Sequence, residues 1–418
     1  MQTSAACAHR LPAHYGWVIV ATGLLTIFAC LGIARFSLGM LLPSMGRGLD
    51  LAYAQMGFIS TANFVSYLLA VLACGPLVRR HGARRVIFLA LLIIGLTLLG
   101  VSLAQGFVAA LLLYFVTGMG SGAANVPTMG LVSQWFATRL RGRAAGIIVV
   151  GSGFAIMMTA FLVPAVNARW GSEGWRYAWA VLGLATLAIA LVAGTLLRNT
   201  PQQLGLQPCG GAPQAAATAT PAPGRDRLRV LAHLGGIYFL FGFTYVIYAT
   251  FVVTTLVDER GMSEETAGRF WFWVGFLSLF SGPVFGMLSD RAGRRFALAV
   301  VFSMQLAAYL LAGLSLPETF LYLSIALFGL SAWSVPGIMA ASVGDYLGPA
   351  HAVSGFGTIT FAFGVGQIVG PALAGALAQW SHSFSLGYLI SSGLAAVALV
   401  LSLLLQPPGA SGRAEDQR

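Results

Sequence analysis

Twelve stretches of this chain are each long and apolar enough to cross a lipid bilayer, and little chain lies between most of them. A spanning helix needs about 20 mostly apolar residues. Such runs fall at 16–42, 53–78, 85–105, 107–136, 144–166 and 177–197, and again at 231–256, 266–288, 295–315, 318–346, 353–379 and 385–406. The chain is 58% hydrophobic and 8% charged, where a soluble domain carries about 25% charged residues. An all-α integral membrane protein follows. Its 52 glycines do not oppose this, because small residues let helices approach closely in a bilayer.

The few charges are ordered. All 23 basic residues are arginine, and the formal net charge is +11. In a soluble protein such a balance would suggest nucleic acid. Here the arginines crowd into alternate short loops, so no nucleic-acid partner is expected. With the N-terminus in the cytoplasm, cytoplasmic segments hold 17 arginines, Arg10, Arg413 and Arg418 among them, and outer loops hold four: Arg47, Arg169, Arg176 and Arg260. The positive-inside rule then sets both termini in the cytoplasm. Cys7, Cys30, Cys74 and Cys209 show no metal-ligand spacing, so neither metal nor cofactor is expected.

The runs divide into two sets of six. Residues 198–230 separate them with a low-complexity stretch rich in Ala, Pro and Gly, read as a flexible cytoplasmic linker. The expected units are an N-terminal bundle at 1–197, a C-terminal bundle at 231–406 and a cytoplasmic tail at 407–418. Gly286-Met287-Leu288-Ser289-Asp290-Arg291-Ala292-Gly293-Arg294-Arg295 lies between the second and third runs of the second set. Gly75 to Arg85 holds the same place in the first set, 211 residues earlier, with Arg79 standing where the later copy has Asp290. Asn125-Val126-Pro127 and Ser334-Val335-Pro336 echo each other in the fourth run of each set.

The Gly-x-Leu-x-Asp-Arg-x-Gly-Arg-Arg pattern at this seam resembles the signature of the major facilitator superfamily between its helices 2 and 3 and between 8 and 9. The resemblance covers the whole chain. It implies twelve helices in two pseudo-symmetric bundles around a central site. It also implies a conformational latch formed by Asp290, Arg291, Arg294 and Arg295, with Arg79, Arg80 and Arg84 as the unequal counterpart. A narrower resemblance, to oxalate/formate and monocarboxylate transporter relatives, rests on His14-Tyr15-Gly16-Trp17-Val18-Ile19-Val20, Gly174-Trp175-Arg176 and Leu204-Gly205-Leu206-Gln207-Pro208. Residues around Arg35 and Trp333-Ser334-Val335-Pro336-Gly337 look closer to an uncharacterised bacterial branch. In monocarboxylate carriers an arginine of helix 8 binds the carboxylate, which would point to Arg269.

The residues themselves nominate a binding site. Arg35 and Arg269 interrupt apolar runs, and an arginine at membrane depth costs about 2.5–3.5 kcal/mol on insertion scales unless a cavity or partner receives it. Both read as lying toward the outer side, where guanidinium groups suit a carboxylate. Tyr238, Phe241, Tyr245 and Tyr248 fall on one stripe of helix 7. Asn63, Asn125, Trp333 and Gln367 complete the substrate-binding set; Ser60 and Tyr67 stand beside it. No acidic residue falls at mid-membrane, and the histidines lie near helix ends. A membrane enzyme therefore has no catalytic cluster, and an ATP-binding P-loop is impossible without lysine.

The expected protein is a monomeric secondary active transporter in a bacterial inner membrane. It would move a small organic anion such as a monocarboxylate, together with a proton, by alternating access. An exporter of amphipathic drugs or metabolites, with the aromatic stripe as its pocket, is the alternative. A non-transporting sensor is a minor one.

Overall fold

The computed structural model describes residues 14–210, 224–314 and 316–405. Among these described residues, twelve long helices carry the chain back and forth. The first six are α1 (Gly16–Leu49), α2 (Tyr53–His81), α3 (Ala83–Ser102), α4 (Phe107–Trp135), α5 (Thr138–Trp170) and α6 (Gly174–Leu196). The second six are α7 (Arg227–Glu259), α8 (Glu264–Ala292), α9 (Arg294–Gly313), α10 (Glu318–Leu347), α11 (Pro349–Ser381) and α12 (Ser385–Leu403). Residues 14 and 405 share one end of the bundle, called here the terminal end; the opposite end is the distal end. Large apolar side chains such as Leu72, Leu96, Leu184 and Trp380 stand exposed around the outside, an arrangement suited to lipid and unsuited to water. The tail 407–418, residues 211–223 of the linker, and Arg10, Arg413 and Arg418 lie outside the described residues.

The basic turns are shorter than the sequence suggests. Gly82 alone separates α2 from α3, and Gly293 alone separates α8 from α9; their φ values are +79° and +89°. Glycine reaches that region without steric cost, and the two glycines are 211 residues apart. Asp290 therefore lies in the last turn of α8 and does not cap α9. It accepts from Arg294, which also pairs with Asp345 on α10 at 2.7 Å. This clasp joins α8, α9 and α10 within one half. At the matching positions of the first half stand Arg79 and Ala83, so the clasp has no copy there. Arg79, Arg80, Arg291 and Arg295 are exposed. Arg84 instead donates from Nε to the Gly194 carbonyl at 2.8 Å and from its backbone to Asn199. Arg294→Gln is expected to lower stability by about 1 kcal/mol, because its partners are exposed and screened. Thermal unfolding in detergent should show this as a small drop, against no change for Arg79→Gln.

Residues 198–210 are more ordered than a free linker. Cys209 donates to the Trp135 carbonyl and accepts from the Ala137 amide, and His14 bonds to the Gln207 carbonyl. Helix α7 follows, and nearly all of its span is buried.

The duplication reappears in how the halves meet. On α2, a Cβ at Gly57 would lie 2.3 Å from the Pro371 carbonyl oxygen and 3.3 Å from Gly375 Cα on α11. On α8, a Cβ at Gly268 would lie 2.4 Å from the Ala160 carbonyl oxygen and 3.1 Å from Pro164 on α5. Each residue of the first trio differs by 211 from its counterpart in the second. Glycine is required because backbones touch there. Nearer the terminal end the same helices part: Gly142 and Gly146 on α5, and Gly282 and Gly286 on α8, have nothing within 4 Å of a built Cβ. The halves thus close at the distal end and open a cleft toward the terminal end.

Candidate functional site

Arg35 sits where the cleft ends. It lies in a widened turn of α1, Phe28–Phe36, where the helix is π-wound. Helix α1 runs to Leu49, seven residues past the expected end, so Arg35 stands near its middle and not in its outer third. Widened turns are frequent at functional sites. This one is held by neighbours: Asn63 donates to the Ala34 carbonyl at 3.5 Å and to the Tyr114 carbonyl at 3.3 Å, and the Tyr114 hydroxyl donates to the Arg35 carbonyl at 3.4 Å. Asn63 therefore serves the backbone that carries Arg35 and does not point a donor at the cleft.

The guanidinium packs 4.5 Å from the Phe64 ring centroid and 4.4 Å from that of Tyr67. Such cation–π contacts hold a cation without neutralising it. Among the described residues, Nε and Nη2 of Arg35 are buried with no hydrogen-bond partner, and no ion pair involves Arg35. Around it stand two amide–phenol pairs. Asn125 of α4 donates to the Tyr67 hydroxyl at 2.8 Å, and Gln367 of α11 donates to the Tyr245 hydroxyl at 2.6 Å. Tyr245 interacts with Arg35 from the other half. Trp333 follows the last residue of the first segment of α10, where Pro336 leaves residue 332 without a helical donor. Its ring lies 5.7 Å from Phe36. Five helices, α1, α2, α4, α7 and α11, thus bring one cation and four polar groups together, and the residue 211 beyond Arg35 is Val246, so the charge has no symmetric twin.

Two of the expected residues lie elsewhere. Tyr248 bonds to Ser324 at 2.7 Å and packs on Tyr309, Phe328 and Tyr388 inside the second bundle. The expected stripe therefore divides, because α7 is surrounded on all sides: Tyr238, Phe241 and Tyr245 stack with Phe363, while Tyr248 turns to α9, α10 and α12. Arg269 sits in the second turn of α8 with its side chain 67% exposed, paired to Glu265 at 2.6 Å. It borders a distal groove of about 930 Å³ lined also by Arg47, Asn167 and Glu264. Arg35 and Arg269 are not at one depth.

Sequence reasoning passed over the distal seal. Arg47 of α1 pairs with Asp258 of α7 at 2.8 Å and with Glu264 of α8, which also accepts from Asn167 of α5. Arg47 and Asp258 are 211 apart; the repeat offset itself was the available signal. Tyr53 to Gln379 and Thr61 to the Ile368 carbonyl add to this seal. Ser60 faces Thr250 at 3.3 Å across a closed space of about 10 Å³ that also touches Arg35 and Asn63, room for about one water.

Comparison with known proteins agrees with this architecture. The chain is 26% identical over 404 residues to a probable sulfoacetate transporter of Cupriavidus necator, covering 90% of each chain. It is 26% identical over 394 residues to a hexuronate transporter of Bacillus subtilis, covering 87% of this chain and 88% of that one. The fold superposes with TM-score 0.75 and 15% identity on a bacterial homologue of the human lysosomal transporter Spinster, solved inward-facing and unoccupied, over 93% of this chain and 96% of that one. Residues 27–405 match the family described as uncharacterised MFS-type transporter YbfB. The chain belongs to that family, and so is a multi-pass membrane transporter of the major facilitator superfamily and not an enzyme.

Proposed function

We propose that this transporter moves a small organic anion, carboxylate-bearing, by alternating access about Arg35. One observation carries this: a cation at mid-span that has no acidic partner among the described residues, with two donor atoms unsatisfied and polar groups from both halves around it. A buried unpaired cation is costly, and a carboxylate satisfies it bidentately. Tyr67, Asn125, Tyr245, Gln367 and Trp333 would frame the rest of the substrate. The related sulfoacetate and hexuronate carriers support an anionic substrate class. On this reading the arginine asymmetry sets the termini in the cytoplasm of a bacterial inner membrane, so the cleft opens inward. A proton accompanies an anion that enters, since each negative charge moving inward opposes about 2.3 kcal/mol per 100 mV. The protein acts as a monomer.

Purified protein in proteoliposomes should take up at least one of pyruvate, sulfoacetate, glucuronate or 4-hydroxybenzoate, and a protonophore should slow that uptake. Failure of every acid, with uptake of a neutral or cationic solute instead, would overturn the reading. Arg269→Gln is expected to leave carboxylate affinity within about twofold of wild type, since an exposed ion pair contributes little; binding calorimetry checks this.

A further inference from the structure

We propose that the distal groove between α5 and α8 is a phospholipid site that selects a zwitterionic headgroup carrying a primary ammonium. The site is separate from the cleft at Arg35 and does not depend on what the protein carries.

The groove holds about 930 Å³, within the range of about 300–1,000 Å³ usual for small-molecule sites. Its depth is that of the headgroups of one leaflet. Trp170 ends α5 one residue before Gly171 of the groove, and it stacks on Tyr177 at 5.1 Å, both rings standing exposed. Trp and Tyr collect at the membrane–water boundary.

The sequence makes the two walls different. On α5 one stripe carries Phe161, Ala165 and Ala168 into the groove, and the two alanines leave room near the distal end. On α8 one stripe runs through Glu265, Arg269, Phe272, Phe276 and Phe280, in steps of four, three, four and four. It is charged where it begins and aromatic below. Phe161 lies 5.1 Å from Phe272, Phe272 lies 6.1 Å from Phe276, and Phe276 lies 5.4 Å from Phe280. Phe161 and Phe280 are exposed on the side that lipid covers. A charged mouth therefore continues into an apolar line running toward the middle of the bilayer, the order of parts in a phospholipid.

Acyl chains fill any groove that faces a bilayer. What distinguishes this one is the mouth. Its charged lining is Arg47, Glu264, Glu265 and Arg269, two residues of each sign. A purely anionic headgroup would meet as many carboxylates as guanidiniums, whereas a zwitterion presents both signs. Arg47 and Glu264 are engaged in the distal seal. Arg269 and Glu265 pair with each other, and both are exposed. Such a pair contributes little in water, so its exchange for a headgroup is easy. The phosphate then accepts from the Arg269 guanidinium. The ammonium, with three N–H groups like that of lysine, donates to the Glu265 carboxylate. A choline headgroup has no N–H to donate, and a glycerol headgroup has no positive charge.

The test titrates purified, delipidated protein with phosphatidylethanolamine, phosphatidylcholine and phosphatidylglycerol of identical dioleoyl chains, and counts adducts by native mass spectrometry. Phosphatidylethanolamine should bind wild type about tenfold more tightly than either of the others. Glu265→Gln and Arg269→Gln, both at exposed positions, should each remove most of that preference. Ala168→Leu fills the groove and keeps both charges; it should weaken phosphatidylethanolamine about tenfold. Glycerophosphoethanolamine, the same headgroup without chains, should leave the adduct in place at equal concentration. Equal affinity of the three lipids for wild type would overturn the proposal. So would a preference undiminished in all three variants, which would put the lipid elsewhere on the protein. Displacement by the chainless headgroup would assign the mouth to free headgroup chemistry and overturn the lipid site.

Discussion

Arg35→Gln is expected to weaken carboxylate binding about a hundredfold, and to reduce uptake at low substrate by a similar factor. The guanidinium is fixed before any ligand arrives. Two rings of α2 grip it, and the widened turn of α1 is pinned by Asn63 and Tyr114. Little ordering is left to oppose binding. Glutamine offers one amide in place of a planar charged fork. Asn63→Ala should act in the same direction and more weakly, because it frees the Ala34 carbonyl without removing the charge. Titration calorimetry on purified protein distinguishes the two: loss of the charge lowers affinity at every carboxylate, while loss of Asn63 lowers affinity and is partly rescued by Asn63→Gln.

A comparably large effect is expected at a residue that touches no ligand. Gly57→Val should block distal closure and hold the carrier open on that side. The added Cβ meets backbone atoms of Pro371 and Gly375, which cannot step aside as a flexible side chain would. Moving a two-state equilibrium from 1:99 to 99:1 takes about 5.5 kcal/mol, and a clash of this closeness along a helix pair supplies much of it. Transport should fall about a hundredfold on that account. The duplication predicts the same for Gly268→Val, whose Cβ meets the Ala160 carbonyl. Gly146→Val, with nothing within 4 Å, serves as the control and should transport normally. A thiol at Ser60, buried in the seal at 3% exposure, should become reactive to a membrane-impermeant reagent added from the distal side in Gly57→Val and stay protected in the parent.

Much of the architecture was legible because hydrophobic length is a strong signal. The twelve runs match twelve helices within a few residues at most ends, since a bilayer dictates both length and composition. The exceptions follow from physics that periodicity does not record. Helix α1 continues through Arg47 because its distal end is held by Asp258 and Glu264, an ion pair between residues far apart in sequence. That extension moved Arg35 from the outer third to mid-span. The turns at Gly82 and Gly293 are one residue long because glycine takes the positive φ alone.

The site was legible only in part. Arg35, Asn125, Tyr245 and Gln367 stood out as polar residues in apolar runs, and the structure gathers them. Tyr248 met the same criterion, but inside a helix buried on every side any polar residue can find a partner in its own bundle. Arg269 met it too, yet it lies one turn from solvent, where Glu265 pairs with it at i,i−4. Counting residues back from Asp290 gave its height along the helix and not the direction it faces. Phe64 and Tyr114, which place Arg35, give no sequence signal, because an aromatic in a membrane helix is unremarked until its neighbours are known.

The central claim is that a carboxylate pairs with Arg35 at mid-span. It is tested most directly by matched ligands on purified wild-type and Arg35→Gln protein. Binding of 4-hydroxybenzoate, pyruvate and glucuronate is measured beside that of their neutral amides. At least one acid should bind wild type about a hundredfold more tightly than its amide, and that preference should vanish in Arg35→Gln. Amides binding wild type as tightly as their acids, or an acid preference that survives in Arg35→Gln, would contradict it.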